Sequence, residues 1–304
     1  MDNQGNVTGR DSGILAVAVL LAAATIGLEL VVPLGYTIWL VYFLAIGTTI
    51  FQRRAWVPLG VAGLACVLLV IGFNFAPPSD NSAFSVVNRS MGAVCFATTA
   101  LIVSQAIRTR HQAERALWLQ QADNAVALAL QGDLSPGAVA EAALRELCKL
   151  TGAQTGVLYQ LGQEQLTLVG GVALARNVPE SIPSGVGQLW EIVVRPEPRI
   201  VRGLDAAHVA VESALGESPA RELLLAPVTA DGVVNGALEL GRTTHLANQE
   251  LALELMRRCA EKIGIALRTA RLRAELIELL EETQRQSEEL QAQQEELRVA
   301  NEEL

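Results

Sequence analysis

The residues that could carry metal or nucleophilic chemistry are few in this chain and lie far apart. The histidines are His111, His208 and His245, and the four cysteines form no CxxC pair. A zinc site or a disulfide scaffold needs such residues at short, regular spacing. No Ser/His/Asp set, carboxylate pair or phosphate loop stands out either. The sequence therefore predicts no catalytic residue and no metal site within the chain.

Cys66 and Cys95 lie in apolar stretches, where a small buried hydrophobic residue is the usual role of cysteine. A copper site in the membrane, similar to that of ethylene receptors, would need a soft Cys/His pair. The apolar stretches contain no histidine, which disfavours that alternative.

Three polar residues interrupt the apolar stretches and are candidates for function. Glu29 lies near the end of the first stretch, and Asn88 and Arg89 lie near the start of the fourth. Ionisable groups at membrane depth are costly and often functional. A pair between Glu29 and Arg89 would lower that cost. Alternatively, both side chains sit at the interface and reach lipid headgroups.

The apolar stretches predict a four-span transmembrane module. They cover residues 13–30, 34–51, 55–73 and 85–107, each near the ~20 residues that cross a bilayer. The chain is 51% hydrophobic with a mean hydropathy of +0.32. A cleaved signal peptide is the alternative for the first stretch, but three more follow it directly.

Basic residues predict the orientation of this module. Arg53 and Arg54 lie in the second connection and Arg108, Arg110 and Arg115 follow the fourth span, whereas the first and third connections contain no Lys or Arg. The positive-inside rule then places both termini, including residues 1–12, in the cytoplasm. We expect a multi-pass protein of the bacterial inner membrane, in contact with its lipids, whose outer loops are too short for an external domain.

A connecting helix and a folded domain follow the spans. Residues 108–131 contain no Pro or Gly, which predicts one helix leading from the membrane into a domain at residues 132–270. Ser135-Pro136 is typical of a helix start, Asp231-Gly232 of a two-residue hairpin, and Asn248 of a cap on a last helix. Strand patterns begin at Thr155 and Leu166 and recur at residues 199–201. The pattern indicates an antiparallel sheet with helices packed on one face.

Residues 121–270, and above all "LLLAPVTADGVVNGALELG", resemble a GAF domain. The resemblance implies a six-stranded α+β sensor domain, often dimeric, with a pocket beside the sheet. Tyr159, Trp190 and His208 are the candidate pocket residues, and His208 could ligate haem. Tyr159 and Trp190 are equally plausible as core residues, and a lone histidine is more often a surface or packing residue. The cyclic-nucleotide signature and the cysteine–histidine neighbourhood of bilin sites are absent, so the sequence requires no cofactor and leaves the ligand unknown.

The final segment, residues 271–304, has the spacing of a parallel dimeric coiled coil. From Glu275 to Leu304 it contains ten Glu against Arg285 and Arg298. The predicted seam consists of Leu276, Leu280, Thr283, Ser287, Leu290, Gln294, Leu297, Asn301 and Leu304. Leu at d with polar residues at a favours a specific but weak parallel dimer of the chain with itself. The alternative is a single solvated, charged helix.

The tail "LLEETQRQSEELQAQQEELRVANEEL" resembles the signalling helix of bacterial hybrid sensor histidine kinases, and "APPSDNSAFSVVNRS" resembles part of their four-span input module. The resemblance implies a kinase domain in cis and a response regulator as partners in a two-component system. No phosphoacceptor motif, ATP-binding glycine box or receiver domain is present. We therefore expect a sensing and transmission region truncated before its output domain, with the full-length protein a histidine kinase.

Two alternatives remain open at this stage. The output could be a cyclase, a phosphatase or a chemotaxis-like adaptor, or the chain could be a membrane scaffold whose GAF domain binds no ligand. Nucleic acid is not expected as a partner, because almost all of the net charge of −9 lies in residues 275–304 and the remainder is nearly neutral.

Overall fold

A computed structural model describes residues 3–31, 37–75, 82–174, 178–203, 210–213, 216–246 and 248–302. The chain divides into two compact units, Met1–Ala116 and Leu117–Leu304. The division falls within one helix that is continuous from Ser82 to Ala129. A continuous helix therefore stands where the absence of Pro and Gly after the fourth apolar stretch predicts one.

The first unit is helical. Its α-helices are α1 (Asn3–Val31), α2 (Tyr42–Thr48), α3 (Val57–Phe75) and α4 (Ser82–Ala129), with 3₁₀ turns at Ile38–Val41 and Thr49–Phe51. Three of these helices, α1, α3 and α4, are long and apolar enough to cross a membrane. Large apolar side chains such as Leu20 and Ile102, both 68% exposed, point outward from the unit. An apolar outer surface of this kind suits contact with lipid.

The second predicted span differs from the expectation. It forms a shorter apolar helix, Ile38–Phe51, built from α2 and its flanking 3₁₀ turns. About 14 residues of combined α- and 3₁₀-helix extend roughly 21–25 Å along the helix axis, which is less than the ~30 Å thickness of the hydrocarbon core. The hydroxyls of Thr48 and Thr49 donate to the carbonyls of Ala45 and Ile46 at the end of this element. Among the residues that the structure describes, three long helices and one short one therefore stand where four full spans were expected.

Aromatic side chains form the centre of the first unit. Trp39, Tyr42 and Phe43 each lie with their ring centroids 5.2–5.9 Å from that of Phe96 on α4. The geometry is edge-to-face, which the ring quadrupoles favour. This cluster holds the short second helix against α4.

The second unit has a six-stranded antiparallel sheet. Its helices are α5 (Pro136–Thr151), α6 (Gly187–Val194) and α7 (Gln249–Glu302), besides the end of α4. The strands are β1 (Thr155–Leu161), β2 (Gln165–Val172), β3 (Ser181–Pro183), β4 (Arg199–Arg202), β5 (Ala210–Ser213), β6 (Gly216–Pro219), β7 (Glu222–Ala230) and β8 (Val233–Arg242). The sheet order is β3-β2-β1-β8-β7-β4, and β5 and β6 form a separate pair.

Alternating side chains of the sheet enter two different cores. Leu224, Leu238 and Leu240 pack with α5, α7 and the end of α4. Tyr159, Leu225 and Ala237 face the other side and pack under α6. Helices therefore cover both faces of the sheet, whereas the sequence predicted them on one face. The short α6 lies in a segment that the sequence pattern left irregular.

The local signals of the sequence have the expected geometry. Asp231 and Gly232 have φ values of 51° and 75°, as a type I′ hairpin turn requires. The Ser135 hydroxyl accepts from the Ala138 amide at 3.3 Å, and the Asn248 side chain accepts from the Leu251 amide at the same distance. These caps begin α5 and α7.

Candidate functional site

Glu29 and Arg89 form a buried ion pair among the helices of the first unit. The Arg89 guanidinium lies 3.7 Å from the Glu29 carboxylate, and the two side chains are 11% and 3% exposed. Arg89 also donates to the Leu69 carbonyl at 2.7 Å and lies 5.8 Å from the centre of the Phe73 ring. The pair joins α1, α3 and α4. Asn88, the third polar candidate, is also buried.

The surroundings of this pair are closely packed. A Cβ atom at Gly72 would overlap the Glu29 carboxylate, so α3 approaches the pair where it has no side chain. Tyr42 and Trp39 are buried nearby in the chain's second helical segment. The Tyr42 hydroxyl, the Trp39 indole N–H and one Glu29 oxygen have no hydrogen-bond partner among the described residues. Sequence reasoning missed Tyr42, Trp39 and Gly72, because aromatic residues and glycine are ordinary in apolar stretches.

A buried ion pair of this kind makes the helix packing sensitive to charge. Removing one partner of a buried pair leaves an uncompensated charge and costs about 3–5 kcal/mol. Replacing both partners by apolar groups costs far less. The Glu29–Arg89 pair is therefore suited to fix one arrangement of the helices and to be released by a local change.

The candidate pocket residues of the second unit lie in or near the core under α6. Tyr159 is 2% exposed and its hydroxyl donates to the Pro179 carbonyl at 2.8 Å. Trp190, on α6, is half-buried and packs against the same cluster. The structure brings these two side chains to one face of the sheet. His208 lies outside the described residues.

Glu239 lies on that same face and escaped the sequence analysis. It pairs across the sheet with Val157 on β1 and Leu225 on β7. It makes no hydrogen bond or ion pair with a residue that the structure describes. Burial raises the pKa of its carboxyl to about 7. The only signal in the sequence was one acidic residue within an otherwise apolar strand, "GALELG".

Glu222, at the start of β7, has a pKa that is lowered instead of raised. Its carboxylate is fully buried, yet it accepts from Arg202 at 2.8 Å, His245 at 2.8 Å and the Leu246 amide at 2.7 Å. Burial alone would raise its pKa, but the hydrogen bonds from His245, Leu246 and Arg202 together hold the pKa below its ordinary value. This network anchors the sheet beside the chain that leads into α7.

The hairpin formed by β7 and β8 contacts α7 at close range. A Cβ at Gly264 of α7 would overlap the Thr229 carbonyl on β7. Just beyond, Arg268 bonds the Asp231 carboxylate at 2.6 Å. A groove of about 270 Å³ between the ends of β1 and β8 and the helix extends this contact to Glu275. Movement of the hairpin would therefore be transmitted directly to α7.

Helix α7 has two distinct parts. Up to Ala270 one side of it packs in the core, through residues such as Leu255, Cys259 and Ile263. From residue 271 to residue 294 every side chain is exposed. This exposed part contains the predicted seam residues Leu276, Leu280, Thr283, Ser287, Leu290 and Gln294. The side chains of Leu297 and Asn301, and residue Leu304, lie outside the described part of the chain.

Residues 135–267 match the family model of the GAF domain. A similar solved structure is the GAF domain of a phosphoenolpyruvate-protein phosphotransferase from Coxiella burnetii, at 16% identity and a TM-score of 0.44, covering 53% of this chain and 98% of that one. Another is the GAF domain of a protein described as a sensor histidine kinase from Pseudomonas syringae pv. tomato, at 15% identity and a TM-score of 0.36, covering 56% of this chain and 96% of that one. Among curated proteins, no sequence matches this chain.

Proposed function

We propose that this chain, in which residues 135–267 form a GAF domain, is the sensing and transmission region of a transmembrane sensor histidine kinase. GAF domains are signalling or sensory domains that occur in kinases and in proteins with other outputs. In the proposal, the signal arises among the membrane helices and passes through the GAF domain. The final helix carries it, as a parallel dimer, to a kinase domain that phosphorylates a response regulator.

The exposed half of α7 is the observation that carries this proposal. Leu276, Leu280 and Leu290 are 61%, 67% and 59% exposed and occupy heptad positions of α7. Beyond residue 275, α7 contacts no other described part of the chain. Most helical stability in proteins comes from packing of an apolar face against a partner, and leucines repeated in heptads are buried by a partner helix. A second copy of the same chain, in the same register, provides that partner.

The distribution of polar groups favours the membrane helices as the source of the signal. The buried Glu29–Arg89 pair lies where three of those helices meet. By contrast, the GAF face that carries Tyr159 and Trp190 is filled, in the described residues, by the side chains of its own apolar cluster. We therefore assign the GAF domain mainly to relaying the signal.

A membrane scaffold is the second candidate function. The close packing of Tyr159 favours it, because a GAF domain that binds no ligand would have such a filled face. In that case the coiled coil would recruit a partner protein, and its helix packing would not change in response to a signal.

Dimerisation through the exposed leucines is the first test. The double variant Leu276→Gln/Leu290→Gln should weaken the dimer at least tenfold, since it removes apolar contacts from the seam of both copies. Native mass spectrometry of the full chain released from detergent measures the dimer fraction. Glu281→Gln/Glu288→Gln, at outward positions of the same helix, is the matched control and should leave the dimer intact.

The same spectra separate the remaining outcomes. A wild-type chain that is monomeric at all concentrations would contradict the transmission mechanism. A reproducible added mass on the dimer would move the sensing role to a bound ligand, and its size would indicate the ligand class.

A further inference from the structure

We propose that the first unit binds one anionic phospholipid in a groove between α1 and α3, which we call the lipid groove. Its volume is about 480 Å³, within the ~300–1,000 Å³ of typical ligand sites. The proposal rests on the membrane location that the proposed function assumes. It concerns a different part of the molecule from the Glu29–Arg89 pair.

One end of the lipid groove is apolar. Leu15 and Val19 of α1 face Val61 and Leu64 of α3 across it. From Val57 to Leu64 the wall rises roughly 10 Å at ~1.5 Å per residue. The hydrocarbon half of a bilayer is about 15 Å thick, so the wall lies along most of one acyl chain.

The other end of the lipid groove carries a single cation. Arg54 lines it together with Ser12 and Gln52, and the described lining residues include no Asp or Glu. The Arg54 guanidinium is exposed and makes no hydrogen bond or ion pair with a described residue. Guanidinium binds phosphate oxygens in bidentate geometry. Trp56, 62% exposed beside it, is the residue type that lies at the level of lipid headgroups.

The loop that carries Arg54 is held in place from α4. His111 donates from its Nε2 to the Arg53 carbonyl at 2.8 Å, and the Ser104 hydroxyl donates to the Ala55 carbonyl at 2.7 Å. The backbone on both sides of Arg54 is therefore fixed before a ligand arrives. Such preorganisation lowers the entropic cost of binding.

Charge and shape together select the occupant. Apolar walls that face outward admit a molecule from the surrounding bilayer. An end whose described lining has one cation and no acid favours a headgroup of net negative charge over a zwitterionic one. Phosphatidylglycerol has acyl chains for the apolar walls and an anionic headgroup for the cationic end. Basic pockets between membrane helices bind anionic lipid headgroups.

The contact of Arg54 with the lipid headgroup is tested by comparing substitutions of Arg54 and of its neighbour Arg53. The full chain is reconstituted in nanodiscs with equal phosphatidylglycerol and phosphatidylcholine, and native mass spectrometry counts the lipids it retains on release. Arg54→Gln should lower retention of phosphatidylglycerol about fivefold, the effect of one basic residue near an anionic headgroup. Arg53→Gln, which removes the same charge one residue away from the lining, should change it less than twofold. Equal losses in both variants would overturn the proposal.

The apolar end is tested with two glycines of α3. A Cβ at Gly60 would meet only the Trp56 ring, at 3.8 Å, so Gly60→Leu fills the lipid groove without a backbone clash. Gly63 has nothing within 4 Å of its Cβ and does not line the groove, which makes Gly63→Leu the matched control. Gly60→Leu should remove the retained lipid and Gly63→Leu should not. Retention by both variants, or equal retention of the two lipids by the wild type, would overturn the proposal.

Failure of this proposal is distinguishable from failure of the proposed function. The dimer fraction is read from the same spectra, and extraction with alkaline carbonate reports membrane insertion. A dimeric, inserted chain that retains no phosphatidylglycerol contradicts the lipid groove alone. A chain that carbonate extracts contradicts the membrane location on which both proposals rest.

Discussion

At the scale of single residues, Glu239 and Glu222 show how environment determines the behaviour of a carboxylate. They lie on neighbouring strands, yet Glu222 is surrounded by three donors whereas Glu239 faces apolar side chains. The pKa of Glu222 is lowered and that of Glu239 is raised to about 7. The raised pKa of Glu239 also affects stability, because the folded state then binds a proton that the unfolded state releases.

The sign of this effect gives a pH prediction. Between the ordinary pKa of 4.5 and the raised value of about 7, folding takes up a proton, so the free energy of unfolding falls as pH rises. The full loss, on the order of 3 kcal/mol, is reached above pH 7. Glu239→Gln cannot ionise and should flatten this dependence.

Thermal unfolding of the GAF transition in detergent, at pH 5 and pH 8, measures the effect. The wild type should lose more stability between these pH values than Glu239→Gln. Glu261→Gln, on the exposed face of α7, should behave as the wild type. A difference of the same size in Glu261→Gln would show that the dependence has another origin.

At the scale of elements, the contact of the β7–β8 hairpin with α7 is the point where the sheet meets the long final helix. The hairpin turn is a strong local signal, but its function depends on Gly264, which lies more than thirty residues further on. Alanine is a better helix former than glycine by about 1 kcal/mol. Gly264 therefore costs helix stability and permits close approach of the two backbones.

Gly264→Ala should destabilise the domain despite the better helix propensity. The added Cβ would overlap the Thr229 carbonyl, and overpacking of this kind costs about 1–3 kcal/mol. Gly137→Ala in α5 is the matched control, because its Cβ would meet the Val169 carbonyl at an ordinary 3.5 Å. Thermal unfolding measures both, and increased hydrogen exchange at residues 228–232 should accompany only Gly264→Ala. A stabilised Gly264→Ala variant would contradict the close contact.

At the scale of the whole molecule, two long helices make the transmission proposal physically reasonable. α4 is continuous over 48 residues and contributes to both units, and α7 is continuous over 54. A continuous helix transmits rotation or translation better than a flexible linker does. In the proposed dimer the polar seam of α7 would give up stability, so that a small change in its surroundings could alter its pairing.

The proposed transmission predicts that the buried Glu29–Arg89 pair affects the pairing of α7 between two copies. Thr283→Cys places a thiol in the proposed seam, where it should form a disulfide between two copies under mild oxidation. Arg89→Gln removes one partner of the buried pair and should change the rate of that cross-link at least twofold. Arg53→Gln is the control for loss of a surface charge. An unchanged rate in Arg89→Gln, with normal dimerisation, would favour the scaffold over the sensor.

Some features of this protein follow from neighbouring residues, and the sequence by itself determined them. The hairpin at Asp231-Gly232, the caps at Ser135 and Asn248, and the strand at residues 155–161 were all predicted at their observed places. Turn and cap geometry depend on groups within about four residues, so local spacing is sufficient. The GAF domain was predicted from the same local patterns and a family resemblance.

Other features were decided only by the tertiary structure. The contact of Glu29 with Arg89, the close approach of Gly264 to Thr229 and the packing of helices on both faces of the sheet join residues distant in sequence. The shortness of the helix at Ile38–Phe51 and the apolar surroundings of Glu239 also depend on what packs around them. Periodicity shows which side of an element is apolar, but the partner that covers that side is chosen by packing of the whole chain.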